Sequence, residues 1–307
     1  MTRAVLTAAF IAASAVRVVY SQQAEPGAAL DPALFSFQRS IPQGDPGVVA
    51  LVIDPPALAH SRGPNQYFAD VRVLDSAHRQ VPYVIEHRDD PLTVPLAIER
   101  GDPPASSSVS LRPSNWSHYR LRLPCSSLPA SKMVVETSAR VFQRGVQLAV
   151  VRPADRHSRS ARLETIAATT WGHVAPDEAT RTLTLSVVPG DAAELWLSID
   201  EGDNSALPIT AVRLLLPSYR LRFYRPDRSA LLLVYGRGDL AAPRYDLALV
   251  SRDVLNAEAT EVVPLAERPT PHPQPLITPP RFWLFLLIAV AVLLTLIVRL
   301  ARRRSDA

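Results

Sequence analysis

An uninterrupted apolar run near the C-terminal end, residues 282–298, constrains this chain more than any other feature. It reads FWLFLLIAVAVLLTLIV and contains no Gly, Pro or charged residue. As a helix rising about 1.5 Å per residue it would cover about 25 Å, and Leu300 and Ala301 extend it towards the roughly 30 Å core of a bilayer. A helix buried in a soluble core normally keeps a polar stripe, which this run lacks. The run therefore predicts a single transmembrane helix over residues 281–301.

Basic residues are distributed unevenly around this run. Only Arg281 precedes it closely, beside Trp283, which suits the membrane interface. Four arginines follow it, namely Arg299, Arg302, Arg303 and Arg304. Positive charge marks the cytoplasmic side, so we expect a cytoplasmic tail at 302–307 and an ectodomain on the other side of the membrane.

The N-terminal end predicts export. Arg3 precedes a short apolar stretch and then small residues, which indicates a signal peptide over residues 1–21, cleaved after Ser21 or after Ala15. An uncleaved anchor is the alternative. The single lysine among many arginines is typical of high-GC bacterial genes. We therefore expect a single-pass protein of the bacterial inner membrane with a periplasmic ectodomain.

Charge and cysteine content exclude two function classes. The net charge of +4 comes from the arginines that flank the membrane segments, and no basic stripe interleaved with aromatics remains, so we expect no nucleic-acid partner. Cys125 is the only cysteine, so the exported domain has no intramolecular disulfide and must depend on core burial.

The ectodomain sequence predicts an all-β fold. Short segments alternate with a period near two between Pro, Gly, Asp or Ser, at 47–54, 67–75, 81–87, 118–124, 132–137, 145–151, 181–188, 194–200, 210–216, 219–224 and 230–235. This spacing favours two antiparallel β-sandwich units, at 33–117 and 118–218, the second a jelly roll. A C-terminal β segment (219–262) would pack on one of them, with one short helix at 251–259. Prolines then predict an extended linker over 263–280.

Three segments carry a resemblance to a known family. They are ADVRVLDSAHRQVPYVIEHRD (69–89), ELWLSIDEGDNSALPITAVRLL (194–215) and LLLVYGRGDLAAPRYDLALV (231–250). Together they resemble the bacterial envelope family known as domain of unknown function 3999, and the middle part is similar to the galactose-binding-like jelly roll of discoidin and carbohydrate modules. The resemblance implies this fold and topology, but it brings no catalytic residue.

Arg237-Gly238-Asp239 matches an adhesion tripeptide, which leaves two interpretations open. Gly236 and Gly238 flank a tight reversal after a buried strand, where a positive φ would favour glycine. The family pattern has Asn near the place of Asp239. We therefore favour a structural turn, with Tyr245 and a partly buried Asp246 fixing the corner, over adhesion.

Two other clusters are candidate sites. Asp200, Glu201, Asp203 and Asn204 offer oxygen ligands of the kind calcium uses, although the spacing is not that of the 12-residue calcium loop, and an acidic turn is the alternative. Trp171, Arg181 and Trp196 are candidate glycan ligands, whereas core or interdomain packing is the favoured interpretation of the tryptophans.

The residues therefore predict a non-enzymatic, membrane-anchored envelope protein. The chain lacks a Gly-x-Ser-x-Gly motif, a phosphate loop and a dinucleotide fingerprint. We expect binding of, or assembly with, a glycan or a polytopic membrane protein, with no cofactor except a structural calcium. The alternative is a glycan-acting hydrolase, since two carboxylates at a suitable separation leave no sequence motif.

Overall fold

The computed structural model describes residues 27–104, 115–152, 161–270, 283–284 and 286–296. The described residues up to Thr270 belong to one compact unit, and those after it belong to a second. The first unit is built mainly of β-strands, as the alternating sequence pattern predicts.

The strands occur in chain order with two short α-helices among them. They are β1 (Phe37–Ile41), β2 (Gly47–Ile53), α1 (Pro55–His60), β3 (Arg72–Leu74), β4 (Tyr83–Pro95), β5 (Ile98–Arg100), β6 (Trp116–Arg122), β7 (Ser131–Thr137), β8 (Phe142–Arg152), β9 (Arg162–His173), β10 (Leu183–Val187), β11 (Glu194–Asp200), β12 (Ile209–Arg225), β13 (Leu231–Tyr235), α2 (Ser251–Asn256), β14 (Thr260–Val262) and β15 (Arg268–Pro269).

These strands form three sheets in the described part of the chain. One has the order β15-β1-β13-β3, and another has the order β5-β6-β11-β8-β9. The third has the order β10-β7-β12-β2-β14, with β4 also paired to β12. A single core cluster takes side chains from all three, for example Tyr235, Leu214 and Leu148, each fully buried. Burial of this continuous apolar surface is the main force that holds the sheets together.

The 17-residue strand β12 organises the third sheet. One of its edges pairs with β4, while the other pairs first with β7 and then with β2. Near Pro217 the buried positions change from Leu214 and Leu216 to Leu221 and Phe223, which is a change from even to odd positions. Pro217 has no N–H to donate, so the ladder is interrupted there and the strand turns its other face to the core.

The predicted domain boundaries fall inside strands. The boundary between residues 117 and 118 lies within β6, and the boundary between 218 and 219 lies within β12. Strands from all three predicted segments therefore share the sheet around β12.

Several predicted elements need correction. The strand expected at 67–75 is shorter, since Tyr67 and Phe68 have φ of 52° and 50° and only Arg72–Leu74 pairs in a ladder. The strands expected at 210–216 and 219–224 are one strand, β12. The short helix expected at 251–259 is confirmed, although α2 ends earlier, at Asn256.

The predicted membrane span lies partly outside the described residues, and so does the linker, of which residues 271–280 are not described. The predicted signal peptide, Arg281 and the arginines from Arg299 onward lie wholly outside them. Residues 283–284 and 286–296 are helical, and the side chain of Trp283 is exposed. Within the residues that the structure describes, no helix combines the length and the apolar character needed to cross a membrane.

Candidate functional site

The two predicted glycan-stacking tryptophans are buried. Trp171 lies within β9, is 5% exposed, packs edge-on against Phe142 and donates its indole N–H to the Arg181 carbonyl at 3.1 Å. Trp196 is also 5% exposed, and its indole donates to Glu194. Of the three predicted ligand residues, only the side chain of Arg181 is exposed. Neither indole face is open, which matches the packing alternative.

The acidic loop after β11 uses its oxygens within the protein. Glu201 is 2% exposed, forms an ion pair with Arg144 at 3.0 Å and accepts the Leu207 N–H at 3.1 Å. Asp200 accepts the N–H of Gly202, whose φ of 57° makes the turn. Nowhere in the described ranges do three His, Cys, Asp or Glu side chains come together as a metal group.

The other two candidate calcium ligands of this loop, Asp203 and Asn204, are exposed residues. The amide of Asn204 donates to the Glu201 carbonyl at 3.1 Å. The loop therefore has the geometry of an acidic turn anchored by Glu201, and calcium binding there stays a prediction.

Gly236 has the structural role expected at the Arg-Gly-Asp stretch, but Gly238 does not. Gly236 has φ of 86°, and a Cβ there would lie 2.9 Å from Cδ2 of Phe37. A Cβ at Gly238 would meet open space, and its φ is not positive; the positive φ of this turn lies two residues earlier, at Gly236. Arg237 holds Asp239 through two hydrogen bonds, at 2.8 and 3.0 Å, which lower the pKa of the Asp239 carboxyl.

The corner after β13 is fixed by Asp70, and the prediction for Asp246 is wrong. Asp246 is exposed at the start of a 3₁₀ helix (Asp246–Val250). Asp70 is 1% exposed and accepts the backbone N–H groups of Gly236 and Arg62, both at 2.8 Å. Tyr245 does contribute, since its hydroxyl donates to Gln80 at 2.9 Å.

A polar cluster fastens residues 264–270, here called the strap, to the main body. Glu267 accepts the Tyr235 hydroxyl at 2.6 Å and lies 2.9 Å from Nδ1 of His60. Burial and this hydrogen bond raise the pKa of Tyr235 far above its ordinary value. The strap therefore ends the first unit with a partly buried, hydrogen-bonded carboxylate.

Arg39 holds the beginning of the strap. It is 5% exposed, donates to the carbonyls of Pro264 and Leu265, and forms an ion pair with Asp54 at 2.5 Å. Burial, together with the nearby Glu267 and Asp54, raises the pKa of the Cys125 thiol. That thiol is consequently kept in its less reactive protonated form.

An open cleft of about 550 Å³ lies where β4, β7, β10 and β12 meet. It follows from a bulge: Leu216 pairs with Leu92 and Ser218 pairs with Arg88, so β4 carries two extra residues opposite Pro217. Pro91 lies in the same bulge. Neither Pro217 nor Pro91 can donate an N–H to the ladder, and the regular pairing of β4 with β12 is interrupted there. We call this opening the bulge cleft.

The bulge cleft combines apolar and basic surface. Its lining includes Leu215, Pro217 and Val188, the last 66% exposed. Lys132, the only lysine of the chain, and Arg88 supply positive charge. The sequence reasoning missed this site, although a proline in the middle of an apolar strand was a usable signal.

Comparison with known proteins adds little. No family model and no curated protein matches the chain. Among solved structures, a chain of "Structure of infectious bursal disease virus Gt strain" is 10% identical, over 76% of this chain and 75% of that one, with a TM-score of 0.16. A likeness at this level carries no argument, so the resemblance to the 3999 family stays a prediction.

Proposed function

We propose that the protein is a non-enzymatic, membrane-anchored binding or assembly protein of the bacterial envelope, and that it binds its partner in the bulge cleft. The observation that carries this proposal is the form of the cleft, which is open, apolar at its floor and flanked by Lys132 and Arg88. Binding sites of proteins are typically concave and apolar with a few well-placed polar groups. The partner would be a glycan or the extracytoplasmic part of another membrane protein.

The chain after the strap supports anchoring. The apolar run 282–298 is followed by arginines at 299 and 302–304, the charge pattern of a cytoplasmic boundary. Large apolar side chains from Trp283 to Leu296 are exposed among the described residues of this segment. In the proposed arrangement, a β-sheet ectodomain is followed in the chain by the proline-rich linker and a single transmembrane helix, as in the family that the chain resembles.

The lining of the cleft favours binding over hydrolysis. A glycosidase needs two carboxyl groups on either side of the scissile bond. Asp89 is the one carboxylate among the described residues that line the bulge cleft. A single carboxylate can orient a ligand but cannot supply both the acid and the base.

Site-specific photocrosslinking in intact membranes tests the proposal. A photoreactive residue replaces Val188 in the cleft, and a matched control replaces Val141, which is 63% exposed in the bend that precedes β8. We expect a discrete adduct at Val188 that disappears when Lys132→Glu is added, and no such adduct at Val141. Equal adducts at both sites, or recovery of the chain in the soluble fraction, would contradict the proposal.

A further inference from the structure

We infer that the bulge cleft binds an extended, acidic segment of a polypeptide chain. This inference rests on the proposed function, because it assumes that the cleft is the binding site. Three features of the described lining carry it: an interrupted β-ladder, an apolar floor and an excess of cations.

The backbone of β12 has a short unpaired stretch at the cleft. On the edge facing β7 and β2, the ladder with β7 ends at Leu215 and the ladder with β2 begins at Tyr219. Residues 216–218 therefore have no strand partner on that edge. Because β7 and β2 occupy this edge on both sides of the three-residue gap and Pro217 has no N–H, an extended segment would cross the gap and would not lengthen a ladder.

The floor of the cleft suits apolar side chains. Leu215 is half-buried on the same face as Lys132, with which it pairs, and Pro217 and Val188 lie beside it. Successive side chains of a strand point to opposite sides, so alternate residues of a bound segment would contact this floor.

The positive charges of the cleft favour acidic side chains at those positions of a bound segment that do not contact the floor. Lys132 is exposed and has no ion pair within the described chain, and Arg88 touches only the exposed Asp90, at 3.5 Å. Asp89 is the one opposing charge in the lining. Since a charge at the edge of an interface acts mainly on partner choice and association rate, these cations favour glutamate or aspartate over lysine.

A saccharide fits the same surface less well. The lining contains one aromatic ring, the imidazole of His87, which packs on Tyr219 with centroids 5.0 Å apart. The lining therefore offers no tryptophan, tyrosine or phenylalanine ring on which a sugar could stack, whereas its aliphatic groups suit peptide side chains.

Protection of Lys132 from acylation measures binding directly, because the full-length chain has no other lysine. The protein in mild detergent is treated with an amine-selective acylating reagent and analysed by mass spectrometry. The probes are a short peptide of alternating valine and glutamate, the same peptide with lysine for glutamate, and oligogalacturonate. We expect the glutamate peptide to slow acylation of Lys132 and the other two probes to leave it unchanged.

An affinity measurement with labelled probes supplies the second readout. Arg88→Glu should weaken binding of the glutamate peptide about tenfold, the effect of roughly one lost charge contact. Arg181→Glu, on a different surface, should not change it. Tighter binding of oligogalacturonate than of the peptide, or equal binding of all probes, would overturn the inference while leaving cleft-dependent crosslinking, and so the proposed function, intact. Absence of peptide binding by folded protein would overturn it as well.

Discussion

The Asp70 carboxylate accepts the backbone N–H of Gly236 at 2.8 Å and so connects the turn before β3 to the turn after β13. Its other oxygen accepts the Arg62 N–H, also at 2.8 Å, and the residue is 1% exposed. One buried carboxylate thus fixes two turns that are far apart in the chain.

Replacing this carboxylate should destabilise the fold. Asp70→Ala leaves two backbone donors without partners, which should lower the free energy of unfolding by about 2–4 kcal/mol. Asp246→Ala is the matched control, because Asp246 is exposed, and its effect should stay within about 0.5 kcal/mol. Urea unfolding of the full-length protein in detergent measures both. Equal losses for the two variants would contradict this account of the corner.

The two glycines of the adhesion-like stretch should respond differently to a methyl group. Gly236→Ala forces a Cβ to 2.9 Å from Phe37 at a positive φ, so it should cost about 1–3 kcal/mol. Gly238→Ala meets open space and should be neutral within about 0.5 kcal/mol. Melting temperatures check the order. A larger loss at Gly238 would show that the turn needs glycine there instead.

Glu201 should matter more than any exposed member of its loop. Glu201→Ala leaves Arg144 without its buried partner, which typically costs about 3–5 kcal/mol. Asp203→Ala, at an exposed position, should be nearly silent. Because Glu201 is already occupied by Arg144 and Leu207, we expect the same melting temperature with calcium and with a chelator. A rise with calcium that Asp203→Ala abolishes would support the calcium site.

Glu267 should control how tightly the strap is held. Glu267→Ala removes the acceptor of Tyr235, so amide hydrogens of Leu265 and Thr270, which donate to Ser40 and Ser36, should exchange faster with solvent. Glu258→Ala, an exposed change, serves as the control. Hydrogen exchange followed by mass spectrometry measures this. Unchanged exchange in the strap would mean that Arg39 alone holds it.

Stability should fall at alkaline pH through the buried tyrosines. Burial raises the pKa of Tyr245 from 10.0 to about 12. The stabilisation is complete below pH 10 and is lost as the pH rises towards 12, because the unfolded chain ionises first. For a shift of about two units, this loss approaches about 3 kcal/mol.

Tyr245→Phe isolates this contribution. The variant keeps the ring that packs on Tyr83 but loses the hydroxyl that donates to Gln80. Denaturant unfolding at a series of pH values should therefore show a shallower decline above pH 10 for the variant than for the wild type. Parallel declines would show that Tyr245 does not titrate differently on folding.

The sequence predicted the β class and many strands because their alternation reports burial directly. The prediction failed for strands that have no buried face and are recognised only by their hydrogen-bonded pairing with a neighbour. β9 is the clearest case: its residues are mostly exposed on both faces, so no alternation marks it, and pairing with β8 defines it. In β12, Pro217 indicated a break, whereas the bulge in β4 accommodates the proline within one strand.

For a related reason, the sequence could mark the break at Pro217 but not the residues that assemble around it. Lys132, Arg88 and Val188 belong to separate parts of the chain and come together only through the pairing of β4, β7 and β10 with β12. Asp70 and Asp246 show the same limit for buried charge. Asp70 follows Ala69 and Asp246 follows Tyr245, and neither local sequence marks a buried carboxylate. The packing of the turns makes Asp70 buried and leaves Asp246 exposed.

The pairing of β1 with β13 has a consequence for biosynthesis. The Ser36 hydroxyl donates to the Gly236 carbonyl across 200 positions, and among the described residues β1 pairs only with β13 and β15. The strand made first must therefore wait, unpaired, until the ribosome has produced most of the chain. Contacts of such long sequence separation form slowly, and an early strand with open edges is prone to wrong pairing. We expect newly made chains to depend on a holding chaperone until β13 emerges.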